Sequence, residues 1–258
     1  MTKSSSARIN ADQLVKKLKA LRSSVELKKY HHYFTFDEDK PRDGDQFMGV
    51  RMGQVFALAK EFIEMPPGEI EKLLDSPIHE VRAGGCSIMD KQARSKKTSG
   101  ERRKELYDLY MRRHDRINNW DLVDLCCVHV VGGHLFDKPR RVLYKLARSN
   151  NTWKRRTAIV STAYFIRQGE VDDAFAIAEM LLHDKEDLVR KAMGWMLRYA
   201  GDKDRQRLLR FLDKHGANMP RVALRYTIEH LDKKQRGHYM SLRALPSAGK
   251  PTGRHEKG

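Results

Sequence analysis

The sequence predicts an all-α fold, a stack of helical hairpins wound into a solenoid of HEAT or armadillo type. Three observations predict it. From Met48 onward apolar residues recur at helical spacing, as in Met52, Val55, Phe56, Ala59, Phe62 and Ile63, the pattern of a helix with one buried face. No stretch sustains the two-residue alternation of a half-buried strand. A third pattern returns at a fixed interval: a helix end, a short polar turn, then the start of a basic helix. It occupies residues 74–82, 146–155 and 181–190, and its apolar anchors Val81, Ile117, Trp153 and Leu188 lie 36, 36 and 35 residues apart. That interval is a little under the ~40 residues usual for such repeats, which stack so that the second helix of every pair lines the concave side.

The elements follow in order. Residues 1–8 are polar and Ser-rich and are expected to be disordered. Leu14, Val15, Leu18 and Leu21 form one helical stripe, with Asn10 placed to cap it. A second helix is expected over 25–34. Residues 37–45 are charged, carry Pro41 and Gly44, and read as a loop. Pro66 and Pro67 end the helix that follows and open the next, which carries Ile70, Leu73 and Leu74. Further helices are expected over 78–95, 101–116, 119–136, 139–149, 152–168, 171–183, 187–200, 203–214 and 219–231, separated by short polar or glycine breaks. Residues 9–240 therefore form one helical domain, and the basic, Pro- and Gly-bearing tail over 241–258 is expected to be disordered.

Charge narrows the partner. Lys plus Arg number 51 against 34 Asp plus Glu, a formal net charge of +17. An excess spread this evenly points to a polyanion, and nucleic acid is the commonest one. A membrane partner fits poorly: no helix is basic on one face and bulky-apolar on the other, and no run approaches the ~18 apolar residues of a span. Residues 1–7 lack the apolar core of a signal peptide, so a cytoplasmic, nucleoid-associated protein is expected. Cys86, Cys126 and Cys127 have no metal-ligand or CxxC spacing and read as small buried apolar residues. His31-His32 has no third ligand at a recognisable spacing, so neither a metal nor another cofactor is expected, and the chain reads as a monomer.

The repeat brings particular residues into one phase. Three positions after successive anchors stand Gly84, Trp120, Arg156 and Lys191; seven after stand Asp124 and Trp195. Trp120 and Asp124 are four apart, so they share a helix face. A stripe of Trp, Asp, Arg, Lys and Trp makes a poor core and a good cleft. The plain alternatives remain open: Trp120 and Trp195 as interhelical packing, Asp124 as a surface carboxylate paired with Arg156, and Arg156 as a solvated charge. Lys154, Arg155, Arg190, Lys191, Arg198 and Arg225 are candidates for sequence-independent phosphate contacts. Trp153, an anchor, reads as core. Tyr33, Phe34 and Phe36 read as core or as a DNA-facing aromatic group.

Three motifs in order carry a resemblance: residues 119–124 (Asn-Trp-Asp-Leu-Val-Asp), 149–158 (Ser-Asn-Asn-Thr-Trp-Lys-Arg-Arg-Thr-Ala) and 190–198 (Arg-Lys-Ala-Met-Gly-Trp-Met-Leu-Arg). With the segment Phe47-Met48-Gly49-Val50-Arg51, they resemble the AlkD-type DNA alkylation repair glycosylases over roughly residues 47–231. The resemblance implies a concave, basic cleft that binds duplex DNA and excises cationic alkylated purines, chiefly 3-methyladenine and 7-methylguanine, without flipping the base. It implies that Asp124 is the catalytic carboxylate, that Trp120 and Trp195 flank the lesion, and that Arg156 clamps the DNA backbone. Some relatives lack these four and bind DNA without catalysis.

The residue types suit that chemistry. An alkylated purine with a formal positive charge is already a good leaving group, so no general acid is needed. The protein has only to stabilise an oxocarbenium-like sugar and place a water, and an acceptor-only carboxylate such as Asp124 does both. Trp faces offer CH–π and cation–π contacts, and an Arg fork matches phosphate. No lysine is placed like a Schiff-base nucleophile, so a monofunctional glycosylase is expected. Two other classes fit less well: a non-catalytic binder of damaged or branched DNA, which leaves Asp124 unexplained, and a protein scaffold, which leaves the charge unexplained.

Overall fold

The computed structural model describes residues 9–33, 36–37, 40–41 and 45–242. Residues 1–8 and 243–258, and the side chains of His31, His32, Tyr33, Phe34 and Phe36, fall outside the described residues, while residues 241 and 242 of the tail expected to be disordered end and cap a helix. The described chain is almost wholly helical. It comprises α1 (Ala11–Ala20), α2 (Ser24–Tyr33), α3 (Met52–Glu61), α4 (Pro67–Leu74), α5 (His79–Arg94), α6 (Gly100–Arg112) and α7 (Trp120–Cys127). These are followed by α8 (Gly133–Leu135), α9 (Arg141–Ala147), α10 (Thr152–Val160), α11 (Thr162–Arg167), α12 (Asp172–Met180), α13 (Asp187–Gly201), α14 (Arg205–His215), α15 (Arg221–Thr227) and α16 (Lys233–Ser241). The segment read as a loop at 37–45 holds a two-residue antiparallel pair, β1 (Phe36–Asp37) on β2 (Lys40–Pro41).

Local chemistry sets the boundaries. Asn10 caps α1 in a capping box with Gln13. Pro67 stands in the first turn of α4, where its missing N–H is not needed. Asn151 caps α10, its side chain accepting from the Trp153 and Lys154 amides. Two expected helices are interrupted. The one over 119–136 passes at Val128 into a π turn, Val128–Gly132, before α8. The one over 152–168 breaks at Ser161 into α10 and α11. Helix α16 was not expected. Its sequence has no apolar stripe and only Tyr239 is buried, and Asp232 starts it by accepting from the Gln235 amide.

The helices form a two-layer repeat solenoid. α3, α5, α7, α10, α13 and α15 pack side by side in that order, and α4, α9, α12 and α14 back onto them. α6 backs onto the π turn that continues α7. One continuous apolar core runs between the layers from Leu14 to Tyr239. Anchors Val81 and Ile117 are fully buried in it, whereas Trp153 and Leu188 are half-buried at its edge.

Close approach between second-layer helices needs glycine. A Cβ on Gly194 of α13 would lie 2.5 Å from the Ala223 carbonyl oxygen and 2.7 Å from Tyr226 Cβ on α15. Gly194→Ala is therefore expected to cost about 1–3 kcal/mol of stability, read as a lowered urea midpoint at unchanged slope. Gly49 is required for a different reason. It has φ +76°, and a Cβ there would meet the Ser23 carbonyl at 2.2 Å. The segment it bends is held by one fully buried carboxylate. Glu80 accepts from the amides of Met48, Gly49 and Val50 at 3.0, 2.8 and 3.2 Å.

Candidate functional site

The site grows from the first two turns of α7. Asn119 adopts extended backbone, accepts from the Trp120 amide and starts the helix. Trp120, its first residue, is exposed, with 36% of its surface accessible. Asp124 lies one turn on, its side chain only 20% accessible. Arg156 of α10 meets it fork to fork: Nε donates to Oδ1 at 2.9 Å and Nη2 to Oδ2 at 2.6 Å. Arg156 Nη1 donates to the Leu188 carbonyl in the first turn of α13. One guanidinium thus ties three successive second-layer helices. Burial raises the Asp124 carboxyl above its ordinary value, the Arg156 bonds and charge oppose that rise, and the nearby Asp121 charge adds to it.

The equal-phase expectation needs correction. Helices α5, α7, α10 and α13 start at 79, 120, 152 and 187, which are 41, 32 and 35 residues apart rather than 36, 36 and 35. α7 is displaced by about one turn, so Asp124, not Trp120, stands level with Arg156. Because one turn is 3.6 residues, the face is preserved while the depth changes. Gly84 does not continue the stripe: a Cβ there would face Leu14 and Val55 at 3.4 and 3.8 Å. Trp195 is half-buried on α13 and packs against the core. Trp153 does so on α10.

The basic residues divide into two groups. The phosphate clamp expected of Arg156 is not available in this arrangement. Its side chain is 7% accessible and its donors are spent on Asp124 and Leu188. Arg155 binds Asp184 at 2.6 and 3.1 Å and the Ser149 carbonyl at 2.9 Å. Arg190 donates to the Asp184 carbonyl and to Asp187, and Arg198 pairs with Glu229. Arg155 and Arg190 thus reach carbonyls at turns between helices, where helix ends lack intrahelical partners, and Arg198 ties α13 to the segment just past α15, so all three are engaged within the protein. Among the described residues Lys154, Lys191 and Arg225 have no ion pair, and Arg225 is exposed beside exposed Tyr226 on α15.

Sequence reasoning missed a buried charge cluster beneath α7. His79 Nε2 lies 2.6 Å from Asp121 Oδ2, and its Nδ1 lies 3.2 Å from Asp45 Oδ2. Arg82 Nη2 lies 2.5 Å from the same Asp45 oxygen. Burial alone would lower the His79 pKa, but the Asp121 charge and the bonds to Asp121 and Asp45 win and raise it to about 9. The partners are 34 and 42 residues from His79 in sequence, and no local pattern links them. Cys86, Cys126 and Cys127 are free and buried, as read. No group of three or more His, Cys, Asp or Glu side chains among the described residues is arranged to hold a metal. No helix among them is long and apolar enough to cross a membrane.

Comparison with known proteins supplies the family. A search of curated proteins finds no match. Among solved structures, one described as a predicted DNA alkylation repair enzyme from Enterococcus faecalis superposes with a TM-score of 0.63 at 17% identity, covering 82% of this chain and 97% of that one. At that identity the likeness establishes the fold. The family model for DNA alkylation repair enzymes matches residues 14–231, most of the chain and nearly all of the solenoid, and so the protein belongs to the DNA alkylation repair enzyme family.

Proposed function

We propose that the protein is a monofunctional DNA glycosylase that excises positively charged alkylated purines, 3-methyladenine and 7-methylguanine, from duplex DNA, acting as a monomer in the cytoplasm and without base flipping. Membership of the family supports a role in DNA repair. The observation that carries the finer reading is the Asp124–Arg156 pair one turn from exposed Trp120. A carboxylate is an unfavourable group to bring near phosphates unless positive charge develops beside it. In the proposed reaction the C1′–N bond breaks and its electron pair passes to the purine, neutralising the base. Water then adds to the cationic C1′, and its proton passes to Asp124 and on to solvent. Asp124 stabilises the sugar cation in the transition state. Arg156 orients that carboxylate and favours its ionised form. Trp120 and Trp195 offer faces to the sugar and the cationic base.

The test is release of free 7-methylguanine from a methylated duplex by the purified protein, followed by chromatography; no release overturns the reading. DNA grip is expected to come from Lys154, Lys191 and Arg225. Replacing any one of them by Ala is expected to weaken duplex binding across sequences and flatten the slope of log K against log salt by about 1. Replacing Arg155, Arg190 or Arg198 is expected to leave that slope in place and lower stability instead. Fluorescence anisotropy titrations between 50 and 200 mM salt, on the order of the usual working range, separate the two groups.

One observation favours a second reading. Both Asp124 oxygens are occupied by Arg156, which also suits a structural strut in a non-catalytic protein that binds damaged or branched DNA. Tight, salt-dependent binding with no base release selects it.

A further inference from the structure

Asp121 stands three residues from Asp124 on α7, close enough for its charge to act on the Asp124 carboxyl. Two carboxylates so near one another disfavour ionisation of the second. Asp121 is itself engaged from beneath by His79, whose side chain is fully buried and which opens α5. His79 reaches on to Asp45, which also binds the fully buried Arg82. Arg82 further donates to the Ser76 carbonyl at 3.0 Å and to Asn118 Oδ1 at 3.4 Å, just before α7. The cluster thus holds two carboxylates, one guanidinium and one imidazole. Its formal charges cancel only when the imidazole carries two protons. A neutral ring would leave a net negative charge on a largely buried cluster under the first turn of α7, open to solvent only at Asp121, an arrangement that burial penalises.

We propose that His79 is a positioning residue for Asp124: as an imidazolium it fixes the first turn of α7 through Asp121 and screens Asp121 from the candidate catalytic carboxylate. This rests on the reading of Asp124 as the group that meets the substrate. The other charges around Asp124 are accounted for. Arg156 faces it from α10. On α5, Glu80 is turned to the amides of residues 48–50, and Asp90 pairs with His129 of the π turn at 2.6 Å. His79 and Arg82 therefore supply the positive charge on the α5 side, and His79 is the one in contact with Asp121. It touches no substrate; its effect runs through Asp121.

The experiment combines three readouts. Long-range nitrogen–proton correlation spectra of the wild-type protein are expected to show His79 as the ring that stays doubly protonated past pH 8; a ring neutral at pH 7 overturns the proposal. Carboxyl-labelled aspartate spectra, with Asp124 assigned by its loss in Asp124→Asn, are expected to show the Asp124 midpoint rising by about one pH unit in His79→Gln. They are expected to show it returning in His79→Gln/Asp121→Asn. An unchanged midpoint in a His79→Gln protein that melts cooperatively overturns it. Base release from a methylated duplex by His79→Gln is expected to fall at the acid end of the activity profile, by at most the roughly tenfold that a one-unit shift allows, and to recover at the alkaline end. A purely structural role would lower release equally at both. A wild-type protein that releases no base overturns the proposed function, and the two spectroscopic readouts still decide this inference.

Discussion

Asp124→Asn is expected to release 7-methylguanine at least about a hundredfold more slowly than the wild type under single-turnover conditions, the scale of removing one preorganised electrostatic group from a transition state. The substitution keeps shape and removes charge. Asn retains one oxygen to accept from Arg156, but its Nδ2 would face a second guanidinium N–H, donor against donor. Because the wild-type fork uses both carboxylate oxygens, at 2.9 and 2.6 Å, some stability is lost as well. The loss of rate must therefore be measured on protein shown to be folded by its urea transition. Duplex affinity is expected to hold or rise, since the proposed DNA contact then carries one negative charge fewer. A folded Asp124→Asn protein with wild-type release rates would remove the carboxylate from the mechanism.

The second large effect is on stability. Arg156→Met is expected to cost about 3–5 kcal/mol, the range for removing one partner of a buried ion pair. Two losses combine. Asp124 keeps its burial and loses both donors, and the Leu188 carbonyl loses the guanidinium N–H that reaches it. Urea unfolding measures the loss, and a double-mutant cycle with Asp124→Asn separates its parts. The double variant is expected to be more stable than the sum of the single effects, because Asn without the guanidinium carries no buried charge. Strict additivity would mean the two side chains do not meet.

How much of this was legible in the sequence depends on the range of the cause. Helix α4 could be placed from Pro67 and its apolar triplet because both signals are local. The repeat, too, was visible as a turn followed by a basic helix. Its exact register was not. The residues before Trp120 spend more chain on the turn than the other repeats do, so the anchor Ile117 stands in that turn, while Val81, Trp153 and Leu188 stand in the first turns of their helices. The π turn escaped because its residues, Val-His-Val-Val-Gly, read as ordinary buried helix. α16 escaped because it presents Lys, Gln, Arg and His where a stripe would stand. In the site, Asp124 and Arg156 were singled out, and their pairing stood only as the plain alternative to separate catalytic and clamping roles. Their bonding to each other needed the stacking of α7 on α10. The His79 cluster was the least legible, since it joins a residue before α3, two on α5 and one on α7. The intramolecular partners of Arg155, Arg190 and Arg198 were hidden for a related reason: a cation in a basic motif looks the same whether it faces solvent or ties two helices together.

Glu80 has a consequence of its own. It grips peptide groups at positions 48, 49 and 50 and ignores what those residues carry beyond Cα. Anchorage of that kind is indifferent to side-chain identity. Positions 48 and 50 can drift as far as their own burial permits, while position 49 stays pinned by backbone curvature; at the flanks it is side chains that engage, Phe47 against Tyr30 and His79 and Arg51 with Glu26.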